Sequence, residues 1–109
     1  QPEPARQNQP PSQTIQQLLA RLSDEKSEVR RQAAFALAKI GQPAIPALIQ
    51  ALQSENSATR KNAAFALGEM GKDARSALPA MEKLRHDPDI TVRWVVDNAL
   101  KKIEGHGAR

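Results

Sequence analysis

The 109-residue sequence predicts an all-α chain built from three stacked pairs of helices, about six helices in all. Three observations lead there. A thirty-residue repeat runs through most of the chain, and apolar residues within each copy recur at helical spacing. The apolar content is Ala, Leu, Ile and Val, with aromatics at 3% and no cysteine. Such a composition favours closely packed helices over a sandwich or barrel. Without cysteine there is no disulfide, thiol nucleophile or thiolate metal site. A net charge of +4 is mildly basic and is not by itself a nucleic-acid signature.

Residues 1–13 contain four prolines and four glutamines and no large apolar side chain. Nothing there offsets the cost of ordering the backbone, so a disordered or polyproline-like arm is expected. Its two charges, Glu3 and Arg6, cancel, which leaves the net +4 to the rest of the chain. Shifting residues 12–41 by thirty places Ile15 on Ile45, Leu18 on Leu48, Leu22 on Leu52 and Arg30 on Arg60. Ala33-Ala-Phe-Ala-Leu37 then falls on Ala63-Ala-Phe-Ala-Leu67, and Gly41 on Gly71. A third copy follows at an offset of thirty-three: Pro46 on Pro79, Arg60 on Arg93, Leu67 on Leu100. The three extra residues lie before Pro79 and lengthen the loop after Gly71. The repeats are therefore 14–41, 42–71 and 72–104, followed by a flexible tail at 105–109.

Each copy reads as a short and a long helix. The short ones are expected at about 14–22, 45–53 and 77–86, with Pro46 and Pro79 in a first turn that needs no N–H. The long ones are expected at about 27–40, 57–70 and 90–104. Ser27 and Ser57 suit N-caps, and Gly41 and Gly71 suit C-terminal stops. Val29, Ala33, Ala36, Leu37 and Ile40 share one face at 3.6-residue spacing. Flanking alanines allow neighbouring helices to approach closely. One such pair cannot bury its own apolar face, whereas three stacked pairs can.

The run Val29-Arg-Arg-Gln-Ala-Ala-Phe-Ala-Leu-Ala-Lys-Ile-Gly41, followed by Ala44-Ile-Pro-Ala-Leu48, resembles HEAT repeats, in particular the short bacterial phycobilisome-lyase-like kind. The resemblance covers about residues 14–104. It implies a right-handed α-solenoid whose second helices line a concave, partner-binding face. It also implies a structural ladder of polar contacts from the arginine after valine, here Arg30, Arg60 and Arg93. The nearby loop acids Asp24, Glu55 and Asp89 are the expected ladder partners. In the third copy Ala64 is replaced by Asp97 and Phe65 by Asn98. A carboxylate at the stacking flank is costly if buried alone, so Asp97 is expected to close the solenoid after three repeats.

Little here suggests catalysis. His86 and His106 have no companions at metal-ligand spacing, no glycine-rich phosphate loop is present, and the serines lack a His–Asp set. Asp87 and Asp89, either side of Pro88, read as a capping turn before the third long helix rather than an acid pair. No enzyme activity, metal or cofactor is expected. Binding is better supported. At 100° per residue, Arg31, Phe35 and Lys39 form a stripe opposite the apolar seam. Lys61, Phe65 and Glu69 continue it in the second repeat, and Trp94, Asn98 and Lys102 in the third. All three aromatics thus fall on one ridge, alternating with cations. Two placements are open for the phenylalanines: exposed on the ridge, or tucked between second helices as groove filling.

The leading expectation is a non-catalytic protein–protein interaction, scaffold or adaptor module that grips a peptide, helix or loop of another protein, as part of a larger complex. The alternatives are a bilin-lyase-like accessory subunit and a nucleic-acid-binding HEAT-like protein. Three repeats leave little room for a tetrapyrrole. Nucleic acid is disfavoured because Glu69 interrupts the basic stripe and because Asp97 is expected to turn away from the stripe that carries Trp94. No apolar run nears the roughly 20 residues that span a bilayer. The chain does not begin with methionine. A segment like 1–13 suits a tether left by signal-peptide removal as well as a trimmed boundary, so bacterial cytoplasm and export are both expected readings.

Overall fold

Pro11 opens the first helix of the computed structural model, which describes residues 11–105. Helix α1 spans Pro11–Ala20, α2 Ser27–Ile40, α3 Ile45–Ala51, α4 Ser57–Met70, α5 Leu78–Lys83 and α6 Ile90–Glu104. Short 3-10 turns follow α1 at Arg21–Ser23 and α5 at Leu84–His86. No strand occurs among the described residues. The long helices start and stop where periodicity places them. Helix α1 begins three residues early, because proline at the first helical position loses only an N–H that has no intrahelical acceptor. The expected arm therefore gives its last three residues to α1. The remainder of that arm, residues 1–10, and the tail residues 106–109 lie outside the described residues.

The N-caps differ from expectation. Ser27 and Ser57 are the first helical residues, and the capping positions belong to Lys26, Asn56 and Asp89. The Asn56 side chain accepts the Thr59 N–H at 3.1 Å, and Asp89 accepts the Thr91 N–H at 2.8 Å. Asn and Asp cap at least as well as Ser, so one residue upstream prevails; Lys26 has no oxygen to offer and makes no side-chain cap. Gly41 and Gly71 stop α2 and α4 at φ 81° and 63°, a region that side-chain-bearing residues avoid. The three extra residues of repeat three are absorbed in a 3-10 stretch, Gly71–Ala77, where the second repeat has only Gln42–Ala44.

The core runs as one column through the three pairs. Ile15, Leu22, Leu37, Leu48, Leu52, Leu67, Met81, Val92, Val96, Leu100 and Ile103 are all buried. Truncating such a side chain to alanine costs roughly 2–5 kcal/mol. Helix α4 packs between α2 and α6, which places the long helices side by side. Ala33, Ala34, Ala63, Ala64 and Ala66 are buried at these junctions. The closest approach is at Gly68, where an added Cβ would lie 2.8 Å from Ala99 Cβ and 2.9 Å from its Cα.

A polar ladder runs beside this seam, with partners other than those expected. Arg60 Nε and Nη2 donate to Asp87 at 2.7 and 3.0 Å, and Nη1 donates to the Ser54 carbonyl at 2.8 Å. Arg93 Nη1 donates to the Asp87 carbonyl at 2.6 Å, and Arg30 Nη1 to that of Asp24. Thus Asp24 takes part through its backbone, Glu55 is exposed and takes no part in the ladder, and Asp89 caps α6. The acid that matters, Asp87, occupies the same repeat position as Asp24 and Ser54. Burial pushes the Asp87 carboxyl upward. The Arg60 guanidinium and the Asp89 N–H outweigh that and hold it below its ordinary 3.8.

Two outcomes follow from this packing. Gly68→Val should lower unfolding stability by about 2 kcal/mol in urea titrations, since the new methyls meet backbone atoms of α6. Asp87→Asn should cost about 3 kcal/mol at neutral pH, because the largely buried Arg60 charge keeps its carbonyl contact but loses its counter-charge. Because the folded carboxyl titrates below the unfolded one, its contribution is complete above about pH 5 and is lost as pH falls through the folded value. Acid titration of stability should therefore be flatter in Asp87→Asn than in the parent chain.

Candidate partner-binding ridge

Every third or fourth residue of α2, α4 and α6 opposite the core seam faces outward, so the stacked helices align these residues into a ridge. Arg31, Phe35 and Lys39 on α2 are exposed. On α4, Lys61 and Phe65 are half-buried and Glu69 is exposed; on α6, Trp94 and Lys102 are exposed and Asn98 is half-buried. Phe35 keeps 44% of its surface accessible and Trp94 70%. The two placements weighed for the phenylalanines are thus both realised: Phe35 is open, while Phe65 packs against the core from the groove.

Phe35 and Phe65 meet edge to face, with centroids 5.2 Å apart and planes at 86°. That geometry brings the positive rim of one ring to the negative face of the other, and fixes both rings as a shelf. Lys102 Nζ lies 5.9 Å from the Phe65 centroid and 2.7 Å from Glu69 Oε2, so the third repeat closes over the second. Asn98 Nδ2 donates to the Trp94 carbonyl at 3.0 Å, which folds its side chain onto its own helix. A groove of about 240 Å³ is left between Phe65 and Trp94, floored by Gly68, Val95 and Ala99 and rimmed by Lys102. A second depression, of about 250 Å³, lies beside Arg31, Lys61 and Asn62. Among the described residues neither Arg31, Lys39 nor Lys61 has an ion-pair partner. The ridge is therefore aromatic, grooved and cationic.

Asp97 lies off the groove lined by Trp94, Asn98 and Lys102, but it borders, with Trp94, Arg85, Ile90 and Arg93, a shallow depression at the end of the stack. Asp97 is exposed midway along α6, on the outer side of the last described helix pair, 3.8 Å from Arg85. Asp89 caps α6, as the spacing suggested, whereas Asp87 holds the turn through the Asp89 N–H and in addition pairs with Arg60 across the repeat junction. His86 is exposed in the turn after α5, and His106 lies outside the described residues. No group of three potential metal ligands occurs among the described residues, and no described helix is long and apolar enough to cross a membrane.

The family model for HEAT repeats matches residues 15–105, the whole stack. The chain belongs to the HEAT-repeat family. The match is to HEAT repeats as such and does not single out the phycobilisome-lyase-like kind. A sequence comparison with curated proteins finds no match. HEAT repeats commonly mediate protein–protein interaction, and the family is generally non-catalytic. In this HEAT-repeat chain the exposed tryptophan gives a direct readout of the ridge. Trp94 emission should be solvent-like and readily quenched by acrylamide in the native state, and should shift little on unfolding in urea.

Proposed function

We propose that the chain is a non-catalytic adaptor module that grips a segment of a partner protein along the ridge formed by α2, α4 and α6. The observation that carries this reading is the exposure of Phe35 and Trp94 on either side of Phe65, in a protein with only three aromatic residues. Exposed large apolar groups beside Arg and Lys are the material of binding hot spots. The groove between Phe65 and Trp94 suits one apolar side chain of the partner. Arg31, Lys39 and Lys61, which lack internal partners, suit carboxylates in the same segment. Glu69 and Lys102 neutralise one another and steady the groove rim, and Asn98 lines it. The face corresponds to the concave side of the solenoid that the family resemblance implies.

The test compares partner recovery and affinity for the parent chain, Phe35→Ala, Trp94→Ala and Lys61→Glu, with circular dichroism as a folding control. Each aromatic truncation should weaken binding at least tenfold, about 1.4 kcal/mol or more, and Lys61→Glu should chiefly slow association. Unchanged affinity in Phe35→Ala/Trp94→Ala would remove the ridge as the binding site.

A further inference from the structure

Among the described residues the arginine ladder leaves half a rung at each end of the stack, and the two halves match. In each repeat the arginine Nη1 donates to the carbonyl of the turn residue six positions earlier, which gives Arg30, Arg60 and Arg93 the same anchor. Arg60 uses the rest of its fork on the carboxylate of Asp87 in the following repeat. Arg93 has no following repeat within the described residues, and its Nε and Nη2 find no acceptor there. Arg30 faces the Ser54 position, where no carboxylate is available.

At the opposite end, Asp24 stands at the position of Asp87 and adopts the same turn. Asp24 Oδ1 accepts the Lys26 N–H at 2.8 Å, as Asp87 Oδ1 accepts the Asp89 N–H at 2.9 Å. Among the described residues no ladder arginine of a preceding repeat faces it, and its side chain has no ion-pair partner. Donor and acceptor are therefore each held ready in the conformation that the completed Arg60–Asp87 rung uses. Preformed geometry of this kind lowers the ordering cost of a bidentate pair.

We propose that the two ends join between molecules: Arg93 of one copy takes the Asp24 carboxylate of a second copy, and copies stack head to tail. The end that carries Arg93 also exposes Ile90, at 67%, which supplies apolar surface to cover outside the ridge. Asp97 and Lys101 stand where α4 has Ala64 and Gly68, so the tight contact seen at Gly68–Ala99 cannot recur. The junction is looser than the internal ones, and association is reversible. Gln32 is exposed at the position of Asn62, whose amide reaches back 3.5 Å to the Leu22 carbonyl of the preceding repeat. In a second copy stacked on this end it would offer the same backward-reaching amide to the Arg85 carbonyl, which occupies the repeat position of the Leu22 carbonyl. A contact of this heterologous kind does not close and propagates as a chain.

Sedimentation velocity on the full 109-residue chain, from micromolar to millimolar concentration, tests this. The weight-average mass should climb from 11.9 kDa past twice that value. Asp24→Arg and Arg93→Asp should each stay monomeric, and an equimolar mixture should regain association, because each reversed end matches the other variant. Asp24→Asn, which keeps the turn to Lys26, should weaken association at least tenfold without altering the melting curve. The proposal is overturned if the parent chain stays at 11.9 kDa throughout, if Asp24→Asn associates like the parent, or if the mixture of folded variants stays monomeric.

Discussion

The distance between neighbouring long helices governs everything else in this protein. It is short because the residues between them have almost no side chain: Ala33, Ala34, Ala63, Ala64 and Ala66 are buried there, and Gly68 meets Ala99 with no room for a methyl. Close helices bring equivalent positions of successive repeats into reach of one another. That is why Phe35 can touch Phe65 edge to face, and why Lys102 can bridge to Glu69. A bulkier seam would spread these side chains apart and turn the ridge into isolated exposed residues. Packing in the interior thus determines the texture of the outer face.

The Arg60–Asp87 pair works beside this seam by a different logic. Desolvating a carboxylate is costly, and burial indeed pushes its titration upward. Two guanidinium donors and one backbone donor more than offset that cost. The apolar seam by itself would tolerate sliding of one repeat over the next, because alanine faces are alike along the helix. A bidentate pair tolerates no such slip, so its contribution is to the register between repeats as much as to stability. Arg93, anchored by the carbonyl of the same Asp87, extends that register to the third repeat.

Sequence periodicity was sufficient for the long helices, since thirty-residue repetition and the positive-φ glycines Gly41 and Gly71 mark both the units and their ends. Proline rules anticipated the entries to α3 and α5, but at Pro11 the same rule extended α1 upstream into a segment whose composition reads as unstructured. Ser27 and Ser57 share a column that suits a cap, yet the position before them is the capping one; Asn56 and Asp89 bring the required side-chain oxygen there and Lys26 does not, so that column is inconsistent across the repeats. The ladder was misread for a related reason. Glu55 and Asp89 are the nearest acids in sequence, yet the functional column is Asp24, Ser54 and Asp87, whose common feature is a turn closed by the N–H two residues on. Column identity across repeats carries that information; proximity along the chain does not. Exposure of Phe35 alongside half-burial of Phe65 was beyond pattern reasoning, because it depends on having neighbours on one side or on both.

The Gly71–Ala77 stretch bears on how this architecture changes length. Three more residues than the second repeat spends are taken up there, with only Ala74 and Ala77 buried and Lys72, Asp73, Arg75 and Ser76 facing solvent. The offset between repeats changes from thirty to thirty-three, while Arg60 still reaches Asp87 and Gly68 still meets Ala99. The stretch itself packs on α4 and α6 through the buried Ala74 and Ala77, so the added length is taken up by the residues that face solvent. Its exposed positions, Lys72-Asp73 and Arg75-Ser76, are consequently where a reporter peptide or an extra loop can be spliced in while Ala74 and Ala77 keep their seats.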